Sequence, residues 1–238
     1  MNVGKNVLIT GATSGIGEAL FSLFGKHGHN LYPCGRNEDK LQRLKDTYTT
    51  CQPLSFDIND AAQVKLAASQ VDSIDILILN AGDCAYIDDV MAFDDTNFAR
   101  IINTNLTSLG TMLAAFLPKV NKGGQVVFVS SAATLLPFPK AEAYGASKAG
   151  VDYLANSLRI DLKKHAIGVS LVHPGFVETP LTDRNTFDMP FMLSAAEAAQ
   201  RIYKGVMKKQ QYIHFPRRLT WLLKVLAFMP PFLRHRLM

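Results

Sequence analysis

Cysteine is scarce in this chain: there are three, Cys34, Cys51 and Cys84. An odd number without metal-ligand spacing argues against a disulfide framework and against a zinc site, so free thiols and no bound metal are expected. Too few residues precede the strand-like run Val7-Leu8-Ile9-Thr10 to hold the basic segment, apolar stretch and cleavage site of a signal peptide. A cytoplasmic protein is therefore expected. Internal repeats and low-complexity stretches are also missing, and with them any reason to place a boundary inside the body of the chain. Acid is absent from the C-terminal segment. From Ile213 to Met238 there are five Lys or Arg (Arg217, Arg218, Lys224, Arg234, Arg236) and no Asp or Glu, and this segment carries the whole formal excess of +5. The body is balanced, which argues against nucleic-acid binding; the basic feature is a tail.

What is present is enough apolar material, 48% of 238 residues, for one compact core. Short runs rich in Val, Ile and Leu alternate with longer segments of helical period, the pattern of a parallel sheet covered on both faces. Strands are predicted near Asn6–Thr10, Asn30–Cys34, Gln52–Phe56, Ile74–Leu79, Gln125–Ser130, Val169–His173 and Gln211–His214. Helices are predicted around Ile16–His27, Glu38–Thr47, Ala61–Ser69, Asn97–Val120, Ala143–His165 and Ala195–Lys208, making right-handed βαβ units. This divides the chain into a single domain over 1–214 and a basic, apolar helical tail over 215–238.

Between the first strand and first helix lies Thr10-Gly11-Ala12-Thr13-Ser14-Gly15-Ile16-Gly17. Glycines there permit a tight turn and close backbone approach, and the helix start offers unpaired N–H groups to a pyrophosphate. The Gly-x-x-x-Gly-x-Gly spacing resembles that of the short-chain dehydrogenase/reductase family, and matching motifs run from residue 10 to residue 179. The resemblance implies a Rossmann-type doubly wound α/β fold with a seven-stranded parallel sheet of order 3-2-1-4-5-6-7. It implies a nicotinamide cofactor held by Gly11, Thr13, Ser14, Gly15, Ile16 and Gly17. Asn80-Ala81-Gly82 resembles the family's Asn-Ala-Gly support beside the cofactor, and Asp57-Ile58 matches its adenine contact, although an Asp there also suits a helix cap. Pro174-Gly175-Phe176-Val177-Glu178-Thr179 resembles the segment that holds the nicotinamide carboxamide, through Pro174, Gly175, Val177 and Thr179.

The second strand ends Cys34-Gly35-Arg36-Asn37, with Gly35 at the acidic position that accepts the ribose hydroxyls of NAD. Arg36 follows as a fork of donors suited to phosphate, so NADP(H) is expected rather than NAD(H).

Tyr144 and Lys148, four residues apart in a predicted helix, share one face. A phenol is a weak acid-base catalyst at neutral pH, and a neighbouring ammonium is expected to draw its pKa toward the working range. Ser131, at the end of an apolar strand, is placed to hold the substrate oxygen, with Ser130 and Ser147 as alternatives. Asn105 matches the family's asparagine in the long helix, with Asn103 as the other polar residue of that stretch. Asn105, Ser131, Tyr144 and Lys148 thus form the expected tetrad, and Tyr144 and Lys148 are expected to touch the cofactor as well. His173 reads as a strand-end residue.

Leu135, Leu136, Pro137 and Phe138, then Leu181, Phe187, Met189, Phe191 and Met192 from a substrate loop over 180–193, predict a hydrophobic carbonyl or alcohol substrate. The expected enzyme is an NADP(H)-dependent oxidoreductase interconverting the two. A non-catalytic cofactor-binding sensor or scaffold is the competing class, and an epimerase or dehydratase ranks below both because the chain lacks a sizeable second domain. The tail is too short and interrupted to span a bilayer. Either it makes peripheral contact with an anionic membrane, at its inner face, or it packs within the protein or oligomer, covering a partner subunit or the substrate entrance. The resemblance implies a homodimer or homotetramer paired through the helices carrying Asn105 and Tyr144.

Overall fold

The computed structural model describes residues 4–184 and 187–230. Its seven-stranded parallel sheet runs β3-β2-β1-β4-β5-β6-β9, built from β1 (Asn6–Thr10), β2 (Asn30–Gly35), β3 (Leu54–Ser55), β4 (Ile74–Leu79), β5 (Val120–Val129), β6 (Gly168–Pro174) and β9 (Tyr212–Phe215). The order is the expected one, with β9 as the seventh strand. Alternation along the strands splits the core. Leu8, Leu77, Val126, Phe128 and Leu171 face one side. There they meet α3 (Ala61–Ala68), α5 (Ser108–Phe116) and α6 (Glu142–Asp161) through Val64, Met112, Phe116 and Val151. Val7, Ile9, Ile76, Ile78, Val127, Val129 and Val172 face the other, where Leu20 and Phe24 of α1 (Gly15–Lys26) meet Ala198 and Ile202 of α7 (Ala195–Met207). Burial on both faces explains why the strands read as continuous apolar runs rather than alternating ones.

Three local departures from the predicted elements, and the placement of the helical tail, matter for the site. The third strand shrinks to Leu54–Ser55, and Cys51 reaches the sheet only through an isolated bridge to Leu31. The helix predicted over Asn97–Val120 is broken: α4 (Asp95–Ile102) passes through a π turn at Asn103–Thr107 before α5 begins. An extra residue in the turn swings Asn105 into the interior, and such π turns recur where function needs a side chain redirected. The segment after β6 is not an open loop at its stems. β7 (Val177–Glu178) pairs in parallel with β8 (Leu193–Ser194), and Ser194 opens α7 in a capping box with Glu197. Finally, α8 (Arg217–Ala227) follows β9 and turns its Leu219, Thr220 and Leu223 inward. The remaining helix, α2 (Glu38–Lys45), is capped by Asn37.

Two glycines show how tightly the first βα junction is set. Gly11 has φ of 65°, a left-handed conformation suited to glycine. A Cβ on Gly17 would fall inside contact distance of the Gly11 carbonyl oxygen and 2.7 Å from Asn80 Nδ2. By contrast, a Cβ on Gly110 in exposed α5 surface would meet nothing within 4 Å. Gly17→Ala is therefore expected to cost about 2 kcal/mol through forced displacement. Gly110→Ala should gain roughly 0.5–1 kcal/mol from reduced unfolded-state freedom. Urea midpoints that move in these opposite directions check the packing; a neutral Gly17→Ala contradicts it.

Candidate active site

The carboxyl ends of β1, β4, β5 and β6 converge on one edge of the sheet, the edge where open α/β sheets take ligands. Thr10 ties the first two together: its hydroxyl oxygen accepts from Asn80 N at 2.9 Å and Ala81 N at 3.0 Å, while Asn80 Nδ2 donates to Thr10 O at 2.9 Å. Asn80 thus braces the strand ends. Ser14 is the N-cap of α1 but its side chain makes no cap hydrogen bond, so the N–H groups of the first turn have no side-chain cap. Gly15, at φ of 55°, lies against Thr179, whose Cγ2 would be 2.9 Å from a Cβ there. The glycine loop and the segment after β6 therefore meet. Thr179 is held in turn by Thr182, whose hydroxyl accepts from Thr179 N at 3.0 Å and donates to Val177 O at 2.7 Å.

At the end of β2, Gly35 lies under Thr13, whose methyl would be 2.9 Å from a Cβ. Arg36 is 76% exposed and 3.6 Å from Asp57 Oδ2. A second cation, which the sequence reading passed over, reaches the loop: Lys40 Nζ donates to Thr13 O at 3.4 Å. Its signal was its place two residues into the first turn of α2, beside the loop. The cap of α3 is Asp60, which accepts from Ala62 N and Gln63 N. Asp57 instead closes its own turn by accepting from Asn59 N at 2.9 Å, so the helix-cap alternative for Asp57 falls away. Ile58, next to it, packs on the core.

The four tetrad candidates come together on this edge. Lys148 is buried and its Nζ donates to Val129 O at 3.0 Å; it lies 5.8 Å from the centroid of the Tyr144 ring. Asn105, also buried, accepts from Asp83 N at 2.7 Å and donates to Asp83 O at 2.8 Å and Ser147 Oγ at 2.9 Å. A Cβ at Gly82 would approach Asn105 Oδ1 at 3.1 Å and Lys148 Nζ at 3.3 Å, so the absence of a side chain at Gly82 lets the two come close. Asn103 is exposed on the outside of the π turn. Ser131 lies beside the Tyr144 phenol and draws its pKa down, and it accepts from Ala133 N at 3.1 Å. Ser147 is tied inside, donating to Tyr144 O at 2.7 Å, and Ser130 donates to Asp152. Of the three serines, Ser131 is the one that lines the cavity.

Burial sets the ionisation of the pair. It pushes the Tyr144 phenol up to about 12, against the opposing pull of Ser131, and it pulls the Lys148 ammonium down to about 8, partly countered by Asp152. The expectation that the lysine would bring the phenol down is not met. The ammonium points at the Val129 carbonyl, and desolvation outweighs the pull of Ser131 on the phenol.

Ser131 and Tyr144 open on a cavity of about 330 Å³ whose walls include Cys84, Phe138, Phe176, Leu181 and Phe187. Leu219 and Leu223 of α8 complete it. Phe187 stands edge-on to Tyr86 at 5.7 Å and to Phe176 at 6.0 Å, an aromatic clip across the mouth. Among the described residues the one charged side chain in the wall, Lys140, is paired with Asp88 at 2.9 Å. Of the predicted apolar set, Phe138, Leu181 and Phe187 line the cavity. Leu136 is in the small core under α8, Pro137 is exposed, Phe191 and Met192 face outward, and Leu135 and Met189 are outside the wall. The contribution of α8 matches one of the placements open to the tail, a cover over the substrate entrance. Its access depends on Gly175, where a Cβ would meet Leu219 Cδ2 at 2.8 Å and Pro216 Cδ at 2.9 Å.

A family model described as short chain dehydrogenase matches residues 5–189. An uncharacterized oxidoreductase of Myxococcus xanthus is 31% identical over 234 residues, covering 91% of this chain and 89% of its own length. A 3-oxoacyl-(acyl-carrier-protein) reductase of Rickettsia conorii is 33% identical, covering 76% of each chain. Among solved structures, a short chain dehydrogenase from Burkholderia cenocepacia in complex with NADP superposes with a TM-score of 0.87 at 25% identity, covering 99% of this chain and 98% of that one. With its sheet order, its glycine junction and a matched span of most of its length, this chain belongs to the short-chain dehydrogenase/reductase family of oxidoreductases.

Proposed function

We propose that the protein is an NADP(H)-dependent oxidoreductase that interconverts a hydrophobic carbonyl and its alcohol, with Tyr144 as the acid-base group. One observation carries this reading: a buried Lys148 stands behind a Tyr144 and Ser131 that share the wall of an apolar cavity, on the same sheet edge as the glycine loop.

The residues fit the cofactor. Gly11, Thr13, Ser14, Gly15, Ile16 and Gly17 form a turn kept tight by glycines with no room for a Cβ, at a helix start with no side-chain cap, which suits a pyrophosphate. Arg36 and Lys40 are two cations at the loop where a 2′-phosphate belongs, and no carboxylate stands at position 35 to repel it. The NADP complex of the Burkholderia cenocepacia relative supports the same choice. Asp57 and Ile58 would border the adenine; Asn80, Ala81 and Gly82 the middle of the cofactor; Pro174, Gly175, Val177 and Thr179 the carboxamide. Bound there, the cofactor supplies or accepts the hydride.

The chain handles the proton. In reduction, Ser131 and Tyr144 hold the substrate oxygen by hydrogen bonds, and the phenol, protonated at neutral pH, donates to it as charge develops. Lys148 stabilises the phenolate left behind, and Asn105 fixes the neighbouring turn through Asp83 and Ser147. The cavity walls exclude water from that transfer. A non-catalytic sensor has no use for this four-residue assembly, which is why the enzyme reading is preferred. The same reading treats 1–214 as one catalytic domain with 180–193 as its substrate loop. It takes the protein as a homodimer or homotetramer, which the large apolar residues Tyr153 and Ile160, exposed on α6, support.

The tail carries a separate proposal. Among the described residues no helix is long and apolar enough to cross a membrane. Yet Trp221, Leu222, Val225 and Phe228 are exposed on the outer face of α8 beside Arg217 and Arg218, a composition suited to lying on an anionic lipid surface. Arg234 and Arg236 lie outside the described residues.

Three measurements test these proposals. NADPH should raise the melting temperature more than NADH at equal concentration, Arg36→Ala should erase that advantage, and Tyr144→Phe should keep it while losing roughly a thousandfold in kcat/KM. No stabilisation by either nucleotide ends the cofactor reading. Leu223→Ala should shift preference toward bulkier ketones by about tenfold, whereas Leu222→Ala, on the opposite face of α8, should leave it unchanged. Co-sedimentation with phosphatidylserine vesicles should be lost in Phe228→Glu; sedimentation equal to that of the parent, or none by the parent, rejects the membrane contact.

A further inference from the structure

Behind the site, away from the cavity, lies a group of ionisable side chains that the mechanism above does not use. Asp152 is on α6, one turn beyond Lys148. Its side chain is 20% exposed, and two neighbouring strands hold it. Ser130, at the end of β5, donates its hydroxyl to Asp152 and lies 3.3 Å from Lys148 O. His173, buried in β6, sets Nε2 3.0 Å from Asp152 Oδ1 and 2.9 Å from Oδ2. The other imidazole nitrogen, Nδ1, is 2.9 Å from the Tyr212 hydroxyl of β9. Every residue of the chain Ser130, Asp152, His173 and Tyr212 is therefore partnered, and the carboxylate is fixed at both oxygens.

We propose that Asp152 is a positioning residue for the reaction: its carboxylate, fixed by Ser130 and His173, is the counter-charge that keeps the Lys148 ammonium charged where it is needed. The role rests on placement. Lys148 donates to the carbonyl of Val129, the residue before Ser130, so the same strand end grips the ammonium and the carboxylate. A buried ammonium with only neutral acceptors loses its proton readily. The backbone carbonyl and Asn105 are neutral, and the negative charge comes from Asp152. Burial lowers the Lys148 pKa, and Asp152, followed by Cys84, raises it.

The other titratable groups around the cluster are accounted for. Toward Lys148 face Tyr144 on its own helix and Cys84 from the segment after β4, with the Asp83–Arg100 ion pair beyond Asn105. Toward the Asp152–His173 pair face Tyr212 and His214 from β9, their rings stacked at 5.0 Å, and Lys224 of α8, whose Nζ is 4.6 Å from the Tyr212 ring. None of these supplies a second carboxylate to Lys148.

The proposal rests on the Lys148 role given above, and its test has a readout that does not need turnover. In protein labelled with 13C at lysine Cε, the Lys148 resonance, assigned by its loss in Lys148→Arg, is titrated with pH. The parent should titrate near 8, and Asp152→Asn, which keeps the shape and the hydrogen-bond acceptor for Ser130 and His173, should titrate about one unit lower. Asp152→Glu should restore most of the difference, and Tyr212→Phe should leave it at the parent's value. Carbonyl reduction should fall as pH rises through about 8, because the ammonium is charged below that value and neutral above it, and Asp152→Asn should bring that fall to lower pH. At pH 8 this is a loss of about fivefold in kcat, with KM little changed. A purely structural Asp152 would lower stability without moving either titration, and an unmoved Lys148 resonance in Asp152→Asn overturns the proposal. Should Asp152→Asn not fold, Asp152→Ser against Asp152→Glu carries the same comparison. If the parent reduces no carbonyl at all, the reductase reading fails while the resonance titration still decides this one.

Discussion

Taking the Lys148 ammonium out of water removes solvation that a charge needs, and much of the surrounding structure follows from replacing it. The Val129 carbonyl accepts one of its hydrogens, and the turn at Gly82 has no side chain, so backbone and Asn105 can approach it. The π turn at Asn103–Thr107 brings Asn105 inward to grip Asp83 and Ser147 on either side of the same space. Burial gives the lysine a pKa of about 8 and the phenol a pKa of about 12, so at neutral pH the pair holds both protons. That is the state from which a carbonyl oxygen can be protonated. Lysine and tyrosine are therefore tuned by the same desolvation in opposite directions, and the partners of each determine how far.

The sheet positions these groups with little freedom. Val129, Ser130 and Ser131 are consecutive, yet they do three different things: Val129 presents its carbonyl to the ammonium, Ser130 turns back to Asp152, and Ser131 faces the cavity. This follows from a strand whose side chains alternate in direction just as it leaves the sheet. A slip of one residue would exchange the inward and outward serines. The parallel register of β5 against β4 and β6 fixes that choice, with Val127 paired to Ile78 and Ser170.

Strands and their order were readable because strands buried on both faces are written as unbroken Val, Ile and Leu runs, and because the glycine loop marked the first crossover. Asn105, Ser131, Tyr144 and Lys148 were each found at the end of a strand or in a helix whose pattern was plain. Other features depend on contacts between distant segments. The π turn hid within a stretch of good helical period, although a buried Asn among apolar neighbours hinted at it. Asp57 and Asp60 stand three residues apart with the same capping chemistry, and the sequence does not say which one starts α3. Phe191 and Met192 were grouped with Phe187 by composition, but a backbone pinned at Val177–Leu193 turns them outward. Asp152 and His173 carried no local signal, since their pairing spans 21 residues and two elements.

The wall formed by Leu219 and Leu223 has an implication for how such a chain diversifies. The groups proposed to handle the proton lie between residues 105 and 148, whereas this part of the cavity surface comes from a helix that packs on β9 and on the residues that follow β5 and β6. Chemistry and shape selection are thus encoded in separable stretches of sequence. Under the proposed roles, drift in α8 recuts the cavity beside Ser131 and Tyr144 while leaving those groups intact, so selectivity is free to change at a rate the chemistry cannot match.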